Sequence, residues 1–320
     1  MSRVKYQHYV PRFYLDGFKG EGGKLWCYDK KLDRSYPSAP ENLGGERLFY
    51  DTPKIEKEIG ISQFLENWFR PLENAAALHL KNWRSRLASQ QQFTPSITEV
   101  HDMALFMVVQ LLRTPRARQM AVDLHLMAKK ISFYNYLGKT QTELAGRIQN
   151  PLKELEMTLD KERWPYVHAM FLLDIKRIEE MALTLQRHIW LVSVAPAKRA
   201  LFTSDNPIIK LPHASHPVLK MSGFSSPGIQ IVYPLSPNHS LNLFERTFWK
   251  EFERFDRKVF DIPLADANID FDNSIQVQHS ARFIYCREDN FSLAREMCNK
   301  TPELRNPHLP ELDSRLGNEV

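Results

Sequence analysis

The segment Gln7–Leu15 combines an imidazole, a guanidinium and three aromatic rings around Pro11. His8 is its candidate for acid–base catalysis, because imidazole is the side chain whose ordinary pKa lies near neutral pH. The residue before a proline is restricted to extended conformations, so the spacing predicts a strand on which His8 and Arg12 share a face. We therefore expect His8 to move protons and Arg12 to supply positive charge. The alternative is a buried histidine that donates to a main-chain carbonyl inside an aromatic cluster.

Three polar side chains, Gln110, Arg113 and Arg116, recur at three-residue intervals in a strongly apolar run that is predicted to be helical. This spacing keeps them on one slowly drifting face of a helix. A guanidinium buried without a partner costs on the order of several kcal/mol, so each arginine must meet a carboxylate, a phosphate or a solvent-filled cleft. We predict that Arg113 neutralises a phosphate during catalysis and that Gln110 and Arg116 bind substrate.

Two structural explanations of these arginines remain open. Arg113 could pair with Glu66 or Glu73 and join two helices. Arg116, together with Arg118, could instead cap the end of a helix.

A third polar group lies in the second half of the chain, at Ser204-Asp205-Asn206-Pro207. These residue types favour a turn at the end of a strand, since their side chains bond local backbone and proline ends strand pairing. The functional interpretation makes Asp205 catalytic, either orienting His8 or holding a divalent cation such as Mg²⁺, with the neighbouring side chains binding substrate. The predicted substrate-binding side chains here are Ser204, Asn206, Asn273 and Gln276.

Composition narrows the class of protein. The 320 residues carry a net charge of +5, which helps a chain to approach phosphates but is shared by many proteins with no such partner. Cys27, Cys286 and Cys298 are too few and too widely spaced for a disulfide framework or a cysteine-rich metal site. The chain contains neither a phosphate-binding loop, Gly-x-x-x-x-Gly-Lys, nor a nucleophile elbow, Gly-x-Ser-x-Gly.

The pattern of apolar residues bears on location as well. The N-terminus has no signal-peptide block, and no apolar run reaches the length of a membrane span. We therefore expect a cytoplasmic protein that makes no membrane contact.

Periodicity predicts the elements that position these side chains. Helical patterns cover about 55–187, with Pro71 bending one helix and Thr98 beginning another that runs from 99 to about 130. Strand patterns cover about 188–290 and also 6–36. The expected fold is a single α+β domain over residues 1–300, with its helical first half packed on a mostly antiparallel sheet. The N-terminal strands are expected to join that sheet, and residues 301–320 to form a polar tail.

Several short segments spread along the chain carry a resemblance to a known family. They are His8–Leu15 with Phe18, Trp26–Asp29, Phe49-Tyr50, Gln110–Arg116, Phe202–Pro207, Pro234–Pro237, and Asn273 with Gln276. Together they resemble the DUF4238 family of uncharacterised bacterial proteins, over roughly residues 6 to 290, and His-Tyr-Val-Pro followed by Ser-Asp-Asn-Pro is the most specific part. The resemblance implies a shared fold and no established activity or catalytic residues.

The residues themselves therefore carry the functional prediction. We expect a nuclease-like hydrolase of nucleic acid or another phosphorylated substrate, with His8, Arg113 and Asp205 as its catalytic residues. The alternative is a regulatory or defence component that binds a nucleotide or nucleic acid without cleaving it. The sequence leaves the metal requirement and the oligomeric state open.

Overall fold

The computed structural model describes residues 3–90, 92–214, 222–260 and 264–306. Most of the helical residues belong to the first half of the chain. The helices are α1 Arg12–Leu15, α2 Pro53–Ile59, α3 Phe64–Ala88, α4 Ile97–Leu112, α5 Pro115–Thr140, α6 Thr142–Gly146, α7 Pro151–Glu154, α8 Trp164–Leu172, α9 Ile175–Gln186, α10 Asp266–His279 and α11 Ser292–Lys300.

The strands form a two-stranded, a five-stranded and a four-stranded sheet. Their bounds are β1 Tyr6–His8, β2 Leu25–Asp29, β3 Arg34–Ser38, β4 Gly45–Arg47, β5 Ile189–Val194, β6 Thr203–Ser204, β7 Ile209–Pro212, β8 Ile229–Ser236, β9 His239–Phe244, β10 Lys258–Val259 and β11 Phe283–Cys286. The strand orders are β1-β4, β10-β5-β9-β8-β7 and β3-β2-β11-β6.

The α+β prediction is confirmed, including the return of N-terminal strands to strands from the second half. In the four-stranded sheet β2 pairs antiparallel with β11, so that Tyr28 lies opposite Ile284. Pairing is antiparallel elsewhere too, except where the short β10 runs parallel to β5. The main core lies between α3, α4 and the five-stranded sheet, where the rings of Trp83 and Trp190 meet edge to face at 6.3 Å.

Three local predictions were wrong. Arg12 begins the short helix α1 instead of continuing the strand of His8, because the chain turns at Pro11. Ser96, not Thr98, is the N-cap of α4, and its side chain forms a reciprocal capping box with Glu99. The helix expected to run to about residue 130 ends at Leu112, and a new helix begins at Pro115.

Two further expectations concern the helices and the C-terminus. Pro71 lies inside the continuous α3, so it does not end that helix. Of the expected polar tail, Pro302–Arg305 form a 3-10 turn, and residues 307–320 lie outside the described residues. Within the described ranges, none of the helices has both the length and the apolar character needed to cross a membrane.

Candidate functional site

The break between α4 and α5 fixes the position of Arg113. Pro115 occupies the first turn of α5, where its missing N–H is harmless, and Arg113 becomes the C-cap of α4. The main-chain carbonyl of Arg113 then accepts a hydrogen bond from the Tyr50 hydroxyl at 3.0 Å. The break at Pro115 therefore places a buried guanidinium at a helix end.

The Arg113 side chain is completely buried, at 0% exposure. Its Nε donates to Gln110 Oε1 at 2.9 Å, and its Nη1 donates to Glu73 Oε1 at 2.6 Å. The guanidinium also lies over the rings of Phe69 and Phe106, 5.2 and 5.8 Å from their centroids. Its second terminal nitrogen, Nη2, is buried and has no partner. The ion pair with Glu73 is thus present, and it leaves one strong donor unused.

Gln110 links this arginine to the N-terminal segment. While its Oε1 accepts from Arg113, its Nε2 donates to the Tyr9 carbonyl at 2.8 Å. Both ends of the amide are engaged in the protein, so Gln110 holds Arg113 beside the segment that carries His8.

His8 is oriented by the alternation of β1. Its neighbour Gln7 points inwards, donating to Asp51 Oδ1 at 2.8 Å and accepting from the Tyr50 N–H at 2.6 Å. His8 faces the other way, edge-on to Tyr6 at a centroid distance of 5.1 Å.

The two ring nitrogens of His8 have different surroundings. A main-chain hydrogen bond to Glu41 involves the ring, while Nε2 is buried without a partner. In the neutral ring one nitrogen carries the hydrogen and the other keeps a lone pair, so the unpartnered Nε2 is a candidate acceptor. Burial lowers the pKa of His8, as do the charges of Arg113 and Arg12, whereas the Glu41 bond and the Glu73 charge raise it.

Glu66 on α3 belongs with His8, Arg113 and Glu73. Its Oε1 is buried without a partner, like His8 Nε2 and Arg113 Nη2. Burial and the neighbouring charge of Glu73 raise the pKa of Glu66 to about 7, although Arg113 lowers it. Since Glu73 and Arg113 act on both His8 and Glu66, we treat His8, Glu66, Glu73 and Arg113 as one His8–Arg113 site.

Arg12 lies at the edge of this site. It is exposed, and its charge still contributes to lowering the pKa of His8. The helical turn of α1 thus leaves it near the imidazole, although the two residues do not share a strand face.

Arg116 occupies different surroundings from Arg113. Its Nη1 donates to the main-chain carbonyl of His279 at 3.0 Å and lies 3.4 Å from that of Gln278. These carbonyls belong to the last turn of α10, so the helix-capping explanation describes this arginine. Arg118, by contrast, donates to the Phe49 carbonyl and lies over the Phe49 ring.

Asp205 binds main chain with both carboxylate oxygens. It accepts hydrogen bonds from the N–H groups of Ala281, Arg282 and Phe283 at 2.7, 2.7 and 2.8 Å. The carboxylate is almost fully buried, at 1% exposure, so burial raises the pKa of Asp205 while the N–H donors lower it. None of its hydrogen bonds in the described part of the chain goes to His8.

The remaining predicted residues surround Asp205 and bind one another. Ser204 donates to Gln276 Oε1 at 2.7 Å, and Gln276 Nε2 donates to the Pro207 carbonyl at 3.1 Å. Asn273 accepts from the Phe202 N–H at 2.7 Å. Asn206 Nδ2 donates to the His279 carbonyl at 3.0 Å. The predicted turn is therefore a network that attaches β6 to α10.

The predicted residues thus fall into two groups. Gln110 and Arg113 lie with His8 and Arg12. The second group is built around α10, which carries Asn273 and Gln276 and is contacted by Ser204, Asn206 and Arg116, with Asp205 bonded to the chain just after it. A surface groove of about 580 Å³ lies elsewhere, on α5, and none of the predicted residues lines it. Over the described residues, no group of three or more His, Cys, Asp or Glu is arranged to hold a metal ion.

Sequence reasoning treated Glu66 and Glu73 only as structural partners for Arg113. A sharper signal was available, because each glutamate directly follows a leucine of the core-facing side of α3, Leu65 or Leu72. A carboxylate at the margin of a buried stripe is forced into partial burial.

Comparison with known proteins supports the resemblance. The family model described as Protein of unknown function (DUF4238) matches residues 6–290. No curated protein matches the chain, and no solved structure does either. Because the match covers nearly the whole described structure, from β1 to β11, the chain belongs to the DUF4238 family.

Proposed function

We propose that this protein is a hydrolase of a phosphorylated substrate, with nucleic acid as the preferred class, and that the His8–Arg113 site is its active site. The observation that carries the proposal is that His8 Nε2 and Arg113 Nη2 are both buried and unpartnered, in two residues close enough for the Arg113 charge to lower the pKa of His8. Buried polar atoms are nearly always bonded, so unbonded atoms call for an explanation, and a ligand that completes their hydrogen bonds is the one we propose.

His8 acts as the general base. Its unpartnered Nε2 accepts a proton from the attacking water, with the ring hydrogen on the other nitrogen. Because its pKa is lowered, the imidazole is neutral at pH 7 and able to take that proton.

Arg113 neutralises the phosphate. Its Nη2 is buried and has no partner, and a charge in buried surroundings acts more strongly on a transition state than one in water. Arg12, exposed at the edge, attracts the anion towards the site. Asp205 has no chemical part in this proposal, because both of its oxygens are already occupied by main-chain donors.

A second function is favoured by the Glu73–Arg113 ion pair. A guanidinium already held by a carboxylate at 2.6 Å has less charge to give to a transition state. The same site would then bind a nucleotide or nucleic acid as a regulatory or defence component and release it unchanged.

Turnover separates the two functions. Pure protein is incubated with labelled DNA, RNA and nucleotides, with and without Mg²⁺. Product formation and binding are measured in parallel under each condition. A hydrolase forms product, and His8→Ala lowers its rate by about 10²- to 10⁴-fold. The exposed His101→Ala serves as the matched control and should leave the rate unchanged.

Thermal melting of each variant accompanies the rates. A His8→Ala protein that is folded and inactive supports the proposed base. Binding without product under every metal condition would overturn the hydrolase and support the binding function.

A further inference from the structure

The Glu66 carboxyl group has no role in the hydrolysis described above, although it lies in the same site. Its Oε1 is buried and unpartnered, and so is Nη2 of the completely buried Arg113. The Arg113 guanidinium lies over the ring of Phe69, which is one helical turn from Glu66 on α3. An ionised carboxylate there would repel an incoming anion, whereas the neutral acid would offer an O–H donor to it. The protonation of Glu66 therefore decides whether the site accepts an anion.

We infer that the His8–Arg113 site binds a tetrahedral oxyanion together with one proton, and that Glu66 is the residue that takes up this proton. The inference rests on the site of the proposed function and names how that site recognises a phosphoryl group. The bound oxyanion accepts one hydrogen bond from Arg113 Nη2 and one from the protonated carboxyl of Glu66. The proton comes from solvent, and the carboxylate becomes a carboxylic acid.

The charged groups around Glu66 agree with a residue that changes protonation near neutral pH. Glu73 on its own helix favours the neutral form, and Arg70 on that helix opposes it. From other elements, Asp51 favours the neutral form and Arg113 the ionised one. With burial as the largest influence, the pKa of Glu66 is about 7, so a modest added negative charge suffices to protonate it.

His8 is the other group that could take up a proton, and its surroundings argue against it. Burial and the charges of Arg113 and Arg12 lower the pKa of His8. Its imidazole accordingly stays neutral under conditions where Glu66 is half protonated. The two residues can therefore be separated by substitution.

Inorganic sulfate is the probe, because it stays a dianion from pH 6 to 9 and contributes no proton of its own. The full chain is titrated with sodium sulfate, and affinity is followed from pH 6 to 9 by the shift in melting temperature. Proton uptake is measured with an electrode in unbuffered solution at pH 8, against sodium chloride of equal ionic strength. We expect uptake of about one proton per bound sulfate and an affinity that falls about tenfold per pH unit above 7.

Glu66→Gln keeps the shape of the side chain and removes its titration. This variant should bind sulfate with an affinity that is independent of pH from 6 to 8 and without proton uptake. His8→Gln should keep the proton uptake, and so should Glu58→Gln, an exposed control on α2.

Three results would overturn the inference: no sulfate binding by the wild-type protein, binding that is independent of pH, or proton uptake that persists in Glu66→Gln. The pH dependence of the wild-type protein decides the matter even if Glu66→Gln fails to fold. If sulfate binds with a proton but no substrate is cleaved, only the hydrolase proposal fails. If substrate is cleaved while sulfate binds without a proton, only this inference fails.

Discussion

The Ser204–Pro207 turn and the His8–Arg113 site both place polar side chains inside apolar surroundings, and they differ in how completely those side chains are bonded. In the turn, both oxygens of Asp205 accept main-chain N–H groups. In the site, His8 Nε2, Glu66 Oε1 and Arg113 Nη2 are buried with no partner. The first arrangement stabilises the fold, whereas the second leaves hydrogen-bonding atoms that a ligand would satisfy.

The difference teaches that burial of a polar residue is a weaker sign of function than the state of its hydrogen bonds. A bonded buried group contributes about 0.5–1.5 kcal/mol to stability, and an unbonded one costs about 1–3 kcal/mol. A site that keeps unbonded groups is therefore less stable than it need be, and a catalytic role or a bound ligand is one explanation for such a cost.

The largest effect should come from removing the carboxylate that completes the turn. Asp205→Ala leaves buried N–H groups of residues 281–283 without an acceptor and should lower the free energy of unfolding by on the order of 4 kcal/mol. Urea denaturation measures this loss. The exposed Asp160→Ala should stay within about 0.5 kcal/mol of wild type. A stable and inactive Asp205→Ala protein would contradict the comparison and return Asp205 to the catalytic set.

A smaller loss should follow when the site's own ion pair is broken. Glu73→Gln leaves the buried Arg113 charge without its carboxylate and should cost about 2 kcal/mol, since Glu73 is partly exposed. Sulfate should then raise the melting temperature of Glu73→Gln more than that of wild type, because the anion replaces the lost carboxylate.

A double variant tests the same ion pair. Adding Arg113→Met removes the unpaired charge, so the double variant should lose less stability than the sum of the two single ones. Strict additivity, with an unchanged response to sulfate, would mean that Arg113 offers nothing to an anion.

Much of the fold could be predicted from periodicity, because apolar spacing is a local property. The α+β arrangement and the pairing of N-terminal strands with later ones were expected, and β2 indeed pairs with β11. Errors occurred where one residue decides between two local structures. Ser96, through its capping box with Glu99, takes the N-cap position that Thr98 was expected to fill. Pro115 interrupts the helical hydrogen bonds that the apolar spacing alone would continue.

The candidate site was predictable only in part. His8 and Arg113 stand out by residue type, but whether a buried group is satisfied depends on partners far along the chain. Glu73 is 40 residues from Arg113, and the donors to Asp205 lie 76 to 78 residues from it. Local sequence patterns do not show such long-range partners. The fully bonded Asp205 and the partly unbonded Arg113 therefore could not be distinguished from the sequence.

The pH dependence of stability should distinguish the two regions further. Glu66 has a pKa of about 7 in the folded protein, above the value of about 4.3 for an unfolded chain. The folded state therefore binds more protons between these values, and stability falls as pH rises from about 4.5 to 7, then levels off.

Glu66→Gln should remove this fall, making the variant about 1–2 kcal/mol more stable than wild type above pH 7 once partial solvent screening is allowed for. Denaturation midpoints of the wild-type protein and of Glu66→Gln at pH 5 and pH 8 measure this difference in stability. Equal pH profiles for the two proteins would show that Glu66 is an ordinary exposed acid.

The smallest effect is expected at the edge of the site. Arg12 is exposed, so Arg12→Ala should change the free energy of unfolding by less than about 0.5 kcal/mol. It should still weaken sulfate binding by about two- to fivefold at low salt, with the difference vanishing at high salt, because an exposed charge is screened.

Lys24→Ala, exposed in the turn before β2, controls for the loss of one positive charge. If both variants weaken binding equally, net charge alone attracts the anion. If only Arg12→Ala does so, the anion enters beside His8, where Nε2 is unpartnered.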